Sequence, residues 1–171
     1  MIIHEPPIIF IHVPKTGGTT IEALLTANKK VGTAAKGLGT HHRLGQVYEK
    51  YCGDHTPNNE RRDLSIYHMF TVARNPWERY ASLYVHDKFT WEAFPKNRKR
   101  TFVEIEEYIF THVEEHFFRA IEVNGLIPDN LLIIDFDEFV NEIRRVFKLM
   151  DIKPGRIVHK NKKTIIQKRM E

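Results

Sequence analysis

The feature that most limits how this chain can fold is a short apolar run that passes directly into a glycine turn and then a helix. Residues 7–13, Pro-Ile-Ile-Phe-Ile-His-Val, form a continuous run rich in β-branched types, which predicts a buried strand. Lys15 to Thr20 then form the turn, and Ile21, Leu24 and Leu25 give the following helix one apolar face. Thr19 and Glu22 have capping-box spacing, so the helix is expected to start at that box. The arrangement recurs. Residues 66–73 (IYHMFTVA) predict a second strand ending at Arg74, with Asn75 as N-cap and Pro76 in the first helical turn. Trp77, Tyr80, Ala81, Tyr84 and Val85 read as the apolar stripe of that helix.

Other segments fit the same alternation. Leu44, Val47, Tyr48 and Tyr51 predict a helix between the two units. Lys88 to Arg100 reads as an irregular aromatic and basic segment. Phe102, Ile105, Ile109, Val113, Phe117 and Ile121 then mark a long amphipathic helix, stopped by Asn124-Gly125. Residues 131–136 (LLIIDF) are the third strand candidate, ahead of a helix carrying Phe139, Ile143, Val146, Phe147 and Met150. Strands alternating with helices imply a three-layer α/β fold, its mostly parallel sheet flanked by helices.

With 171 residues the expectation is a single domain spanning 1–171, with a basic C-terminal tail from about Lys153. One cysteine, Cys52, rules out an internal disulfide. The N-terminal stretch lacks a basic leader and a cleavage site, and no run reaches the ~18 apolar residues of a membrane span. A soluble, cytoplasmic chain without a membrane partner is expected. The net charge of +4 is mild, although basic residues cluster at Lys96–Arg100 and in the tail. Such clusters suit an anionic ligand but also an ordinary solvated face, and nucleic acid is not the expected partner.

Two elements carry anion chemistry. The first is HVPKTGGTT, from His12 to Thr20. Gly17 and Gly18 let the backbone approach an oxyanion, and the helix that follows aims unpaired N–H groups at it. Thr19 and Thr20 add hydroxyls, and Lys15 adds a movable positive charge. In the nucleoside-triphosphate loop, lysine follows the second glycine and precedes the metal-binding hydroxyl. Here lysine precedes both glycines, so that magnesium arrangement is missing. A capped helix after a glycine turn is the structural alternative. The second element is RNPWERYAS, from Arg74 to Ser82. Arg74 lies at a strand end, where ligands gather in open α/β sheets, and its guanidinium can grip a phosphate with two parallel hydrogen bonds. Ser82 lies about two helical turns farther on. Taken alone, this second element reads equally well as structural.

Together the two elements resemble the nucleotide-binding loops of the sulfotransferase superfamily, in its carbohydrate (heparan and chondroitin type) branch. These enzymes use 3′-phosphoadenosine 5′-phosphosulfate (PAPS) as sulfuryl donor. LLIIDFDEF and VHKNKK give weaker echoes, and the likeness runs in order from about Ile8 to Lys163. The resemblance implies a P-loop-like sulfotransferase fold and a PAPS-dependent transfer to an acceptor hydroxyl on a carbohydrate. It implies that Lys15, Thr16, Gly17, Gly18, Thr19 and Thr20 hold the 5′-phosphosulfate, with Lys15 also catalytic. Arg74 and Ser82 hold the 3′-phosphate, and no metal is required.

A general base is also needed, and histidine has a suitable pKa. The family often places one at the start of the helix between the loops. His41 fits that location, with His42 as the neighbouring alternative; Thr40 stands where the family more often has lysine. Phe89, Trp91 and Phe94 are candidates for an acceptor groove or for loop packing. His112 and His116 have i, i+4 spacing but lack the glutamate and third ligand of a zinc site. Two rival readings use the same residues. One is a P-loop kinase-like phosphotransferase, with LLIID as its acidic strand end; the other is a non-catalytic nucleotide- or polyanion-binding module.

Overall fold

The computed structural model describes residues 1–28, 30–32, 42–53, 62–93, 117–155 and 157. Four strands form one sheet in the order β1 (Ile2–Ile3), β2 (Ile8–Ile11), β3 (His68–Ala73) and β4 (Leu131–Asp135). β2, β3 and β4 are parallel, with Phe10 opposite Phe70 and Thr71 opposite Ile133. β1 runs antiparallel to β2, pairing Ile2 with Ile9 and Ile3 with Ile8. The three expected strands are therefore present and parallel. β1 was not anticipated from the sequence. The second strand starts later than expected, because 64–66 form a 3₁₀ turn that leaves Ile66 exposed.

Alternating side chains of each strand feed two apolar layers, as the period of two requires. On one face Ile8, Phe10, Phe70, Val72 and Ile134 pack against α1 (Gly18–Thr26), through Ile21 and Leu25, and against the last helix. On the other face Ile9, Ile11, Met69 and Leu131 meet α2 (Leu44–Cys52), through Leu44, Val47 and Tyr51, together with Ile121 of a helical segment at 117–121. The architecture is α/β with helices on both faces of the sheet. Asn124 and Gly125 take positive φ values of 51° and 78°, which ends the 117–121 segment as the sequence predicts. The rest of that expected helix, 101–116, lies outside the described residues.

α3 (Pro76–Ala93) follows β3, and α4 (Phe139–Leu149) follows β4. All five apolar positions marked for α4 and its end, Phe139 to Met150, are buried. α3 corrects two expectations. It continues through 88–93, where an irregular segment was expected; no glycine or proline interrupts the sequence before Pro95, so nothing stops it there. Its first turn is also rotated from the expected phase. Trp77 is 65% exposed and Ala81 is exposed, while Arg79 faces inward at 3%. Among the described residues no helix is long and apolar enough to cross a membrane.

Candidate functional site

Because β2, β3 and β4 are parallel and adjacent, their C-terminal ends lie side by side at one edge of the sheet. The three segments leaving those ends meet there. β2 continues into Pro14–Gly17 and α1, β3 into Arg74 and α3, and β4 into Phe136 and α4.

The first corner is a tight backbone device. Lys15 adopts φ 66° and Gly17 φ 84°, both left-handed, so the chain reverses into α1 within three residues. Gly17 caps α1, with no side-chain cap hydrogen bond and no acidic residue in the first turn. The expected capping box at Thr19 and Glu22 does not form. Glu22 turns back to the strand instead, its Oε1 lying 3.1 Å from Nδ1 of the buried His12. The His12 ring also occupies the space where a β-carbon on Gly18 would stand. Thr16 is fully buried and donates its hydroxyl to the Val13 carbonyl at 2.7 Å, so its side chain closes the turn. Thr20 is buried, and Thr19 faces solvent.

The second corner locks onto the first. Arg74 Nη1 donates to the Lys15 carbonyl at 3.1 Å. Its Nε and Nη2 reach Glu78 Oε2 at 3.4 and 3.2 Å, and its guanidinium lies 4.4 Å from the centre of the Phe136 ring. Three of the five guanidinium N–H groups are thus engaged, leaving one on each terminal nitrogen. Asn75 caps α3 as predicted, its Oδ1 accepting from the Trp77 and Glu78 amides at 3.0 and 3.4 Å. Ser82 is half-buried, eight positions beyond Arg74 and four beyond Glu78, the spacing that keeps residues near one helical face.

Arg79 was not singled out in the sequence. It is buried, and its Nε donates to the Pro14 carbonyl at 3.1 Å. Burial lowers its pKa to about 10, which still leaves it cationic near neutrality. The signal available was an arginine five positions after Arg74 on a helix, which ordinarily reads as a solvated charge. Phe136 was noted only as part of a strand end.

Of the expected base candidates, His41 lies outside the described residues. His42 is described, 5% exposed and just ahead of α2, with Nε2 3.2 Å from the Met1 nitrogen. His112, His116, Phe94 and the Lys96–Arg100 cluster also lie outside the described residues, as do His159 and Asn161. The Asp135 carboxylate, the acidic strand end of the kinase reading, accepts from the Asp137 amide at 2.9 Å.

Lys15, Gly17, Gly18, Thr19, Thr20 and Arg74 therefore gather around one helix start that has no side-chain cap, with two arginines bridging the corners. That donor set suits a phosphate-bearing ligand: backbone N–H groups and the helix dipole on one side, a guanidinium on the other. The family model described as "Sulfotransferase family" matches residues 1–169. The chain belongs to the sulfotransferase family. No curated protein and no solved structure shows a significant match to it.

Proposed function

We propose that this sulfotransferase takes its sulfuryl group from PAPS and transfers it to a hydroxyl of a carbohydrate acceptor. The observation that carries the reading is the direct bond between the corners, from Arg74 Nη1 to the Lys15 carbonyl at 3.1 Å. It supports a single nucleotide spanning both: the 5′-phosphosulfate at Lys15–Thr20, and the 3′-phosphate at Arg74 and Ser82. The first turn of α1, which has no side-chain cap, offers the Gly18 and Thr19 N–H groups to the 5′-phosphate and sulfuryl oxygens. A β-carbon at Gly17 would meet Phe139 and Phe136, and one at Gly18 would meet His12.

In this reading the acceptor oxygen attacks sulfur as the bond from sulfur to the bridging phosphate oxygen breaks. The electron pair of the broken bond stays on that oxygen, and Lys15 neutralises the charge gathering there. The hydroxyl proton passes to a base, for which His41 is the candidate. The products are a sulfate ester and 3′-phosphoadenosine 5′-phosphate (PAP). As with phosphoryl transfer, alignment and charge placement supply most of the acceleration.

Calorimetry with PAP on the wild type, Arg74→Ala and His41→Ala tests the donor half, and PAP release from PAPS with chemically desulfated heparin tests the acceptor half. Wild type should bind PAP, and Arg74→Ala should weaken binding by about 1.5 kcal/mol or more, the scale of lost charge-assisted hydrogen bonds. His41→Ala should bind PAP normally and lose turnover. A wild type that ignores PAP refutes the donor assignment. Turnover that survives His41→Ala moves the base elsewhere.

A further inference from the structure

We propose that Arg79 is a positioning residue for sulfuryl transfer: from inside the protein it holds the Pro14 carbonyl and thereby fixes the left-handed turn that carries Lys15. The inference rests on the transfer reading above and assigns a role to a residue outside the nucleotide-binding set.

Three successive carbonyls of the first corner are each bonded by a side chain. Val13 accepts from the Thr16 hydroxyl at 2.7 Å, Pro14 from Arg79 Nε at 3.1 Å and Lys15 from Arg74 Nη1 at 3.1 Å. A trans peptide sets its N–H opposite its C=O. Drawing the Pro14 and Lys15 carbonyls toward the arginines therefore points the Lys15 and Thr16 amides the other way. The bonds also bear on Lys15 itself. A non-glycine residue at φ 66° sits in a sparsely populated region, and persists there only where its surroundings over-determine it. Arg74 and Arg79 fasten the two peptide units flanking the Lys15 α-carbon.

The two arginines differ in what they can do besides. Arg74 keeps two N–H groups uncommitted and lies partly at the surface, so it can serve both loop and ligand. Arg79 is 3% exposed, so ligand contact falls to Arg74 and Arg79 acts through the Pro14 carbonyl. Burying a guanidinium is costly. What the guanidinium adds is a rigid planar fork at a fixed reach, which a flexible ammonium does not reproduce.

The test uses four full-length proteins: wild type, Arg79→Lys, Lys15→Ala and the double variant. Each is assayed for PAP affinity, for PAP release from PAPS in the presence of desulfated heparin, and for its melting transition. Arg79→Lys should lower kcat by about 100-fold, the scale of a misplaced catalytic group, and weaken PAP affinity far less. The decisive readout is the double variant: if Arg79 acts through Lys15, adding Arg79→Lys to Lys15→Ala costs no further activity. Multiplying losses overturn the proposal, as does an Arg79→Lys protein whose PAP affinity falls as far as its turnover. Arg79→Gln keeps a neutral N–H donor and serves as the second variant. If neither variant melts cooperatively, Arg79 is a stability residue and the proposal fails. A wild type that neither binds PAP nor releases it removes the transfer reading as well, which separates the two failures.

Discussion

Replacing Gly18 with alanine tests the packing beneath the turn that carries Lys15. A β-carbon there falls within the His12 imidazole, meeting Cδ2, Nε2 and Cγ together. The ring has little room to retreat. It is 6% exposed, held at Nδ1 by Glu22 at 3.1 Å, and stacked on Phe10 at a centroid distance of 5.8 Å. Phe10 is itself stacked on Phe70 at 5.0 Å, so pressure on His12 passes into the core. Inserting a carbon into such packing costs about 1–3 kcal/mol. Alanine's better helix propensity returns up to about 1 kcal/mol in a helix interior, and less at the first residue, where Gly18 stands. The net expectation is a destabilisation of about 1–2 kcal/mol, or about 2–8 °C in melting temperature for a chain of this size.

Urea and thermal melts followed by circular dichroism measure the effect, and a second background makes it specific. In a His12→Ala protein the space beneath residue 18 is open, so Gly18→Ala should there be neutral or mildly stabilising. A Gly18→Ala protein as stable as wild type refutes the reasoning. So does an equal loss in both backgrounds, which would trace the cost to something other than the imidazole.

Two further perturbations reach other parts of the frame. Asn75→Ala removes the acceptor for the Trp77 and Glu78 amides and should cost about 1 kcal/mol, with Asn75→Asp restoring most of it in the same urea melts. Burial first, then Arg62 and Lys50, hold the His4 imidazole below its ordinary 6.5. As pH falls through that value the unfolded chain takes up a proton that folded His4 still refuses. Stability present above the unfolded value is therefore lost on the way down to the folded one. The urea midpoint of wild type should fall relative to His4→Gln as the pH is lowered through 6.5, and a constant difference would refute the assignment.

What the sequence displayed was whatever local pattern could encode. Ile8 to Ile11 and Met69 to Val72 read as strands because both sheet faces are apolar, and Phe139, Ile143, Val146 and Phe147 read as one helix face because that face is buried. Gly17, Lys15 and Arg74 were visible because a strand runs straight into a turn at each. β1 was not visible: two residues cannot show a period, and Ile2 and Ile3 form a strand through pairing with Ile9 and Ile8. Arg79 was hidden for the opposite reason. Its local context reads as a helical surface, and the carbonyl that holds it inside lies 65 positions earlier in the chain.

The misplaced helix start is the most informative of these differences. Thr19 and Glu22 satisfy the spacing rule for a capping box, yet α1 starts at Gly18 with glycine as its cap and its first turn without a side-chain cap. A capping box would have spent the Glu22 carboxylate on the Thr19 N–H, which the proposed anion would need, and set a negative charge at the positive end of the helix dipole. The carboxylate is withdrawn: Glu22 goes back to His12, and the Thr19 side chain faces solvent. The helix forgoes about 1 kcal/mol of capping stabilisation by doing so. Local rules fail most informatively where function competes for the same groups. In the proposed reading the competing demand is for backbone donors, and it falls on the turn carrying Lys15, beside the guanidinium of Arg74.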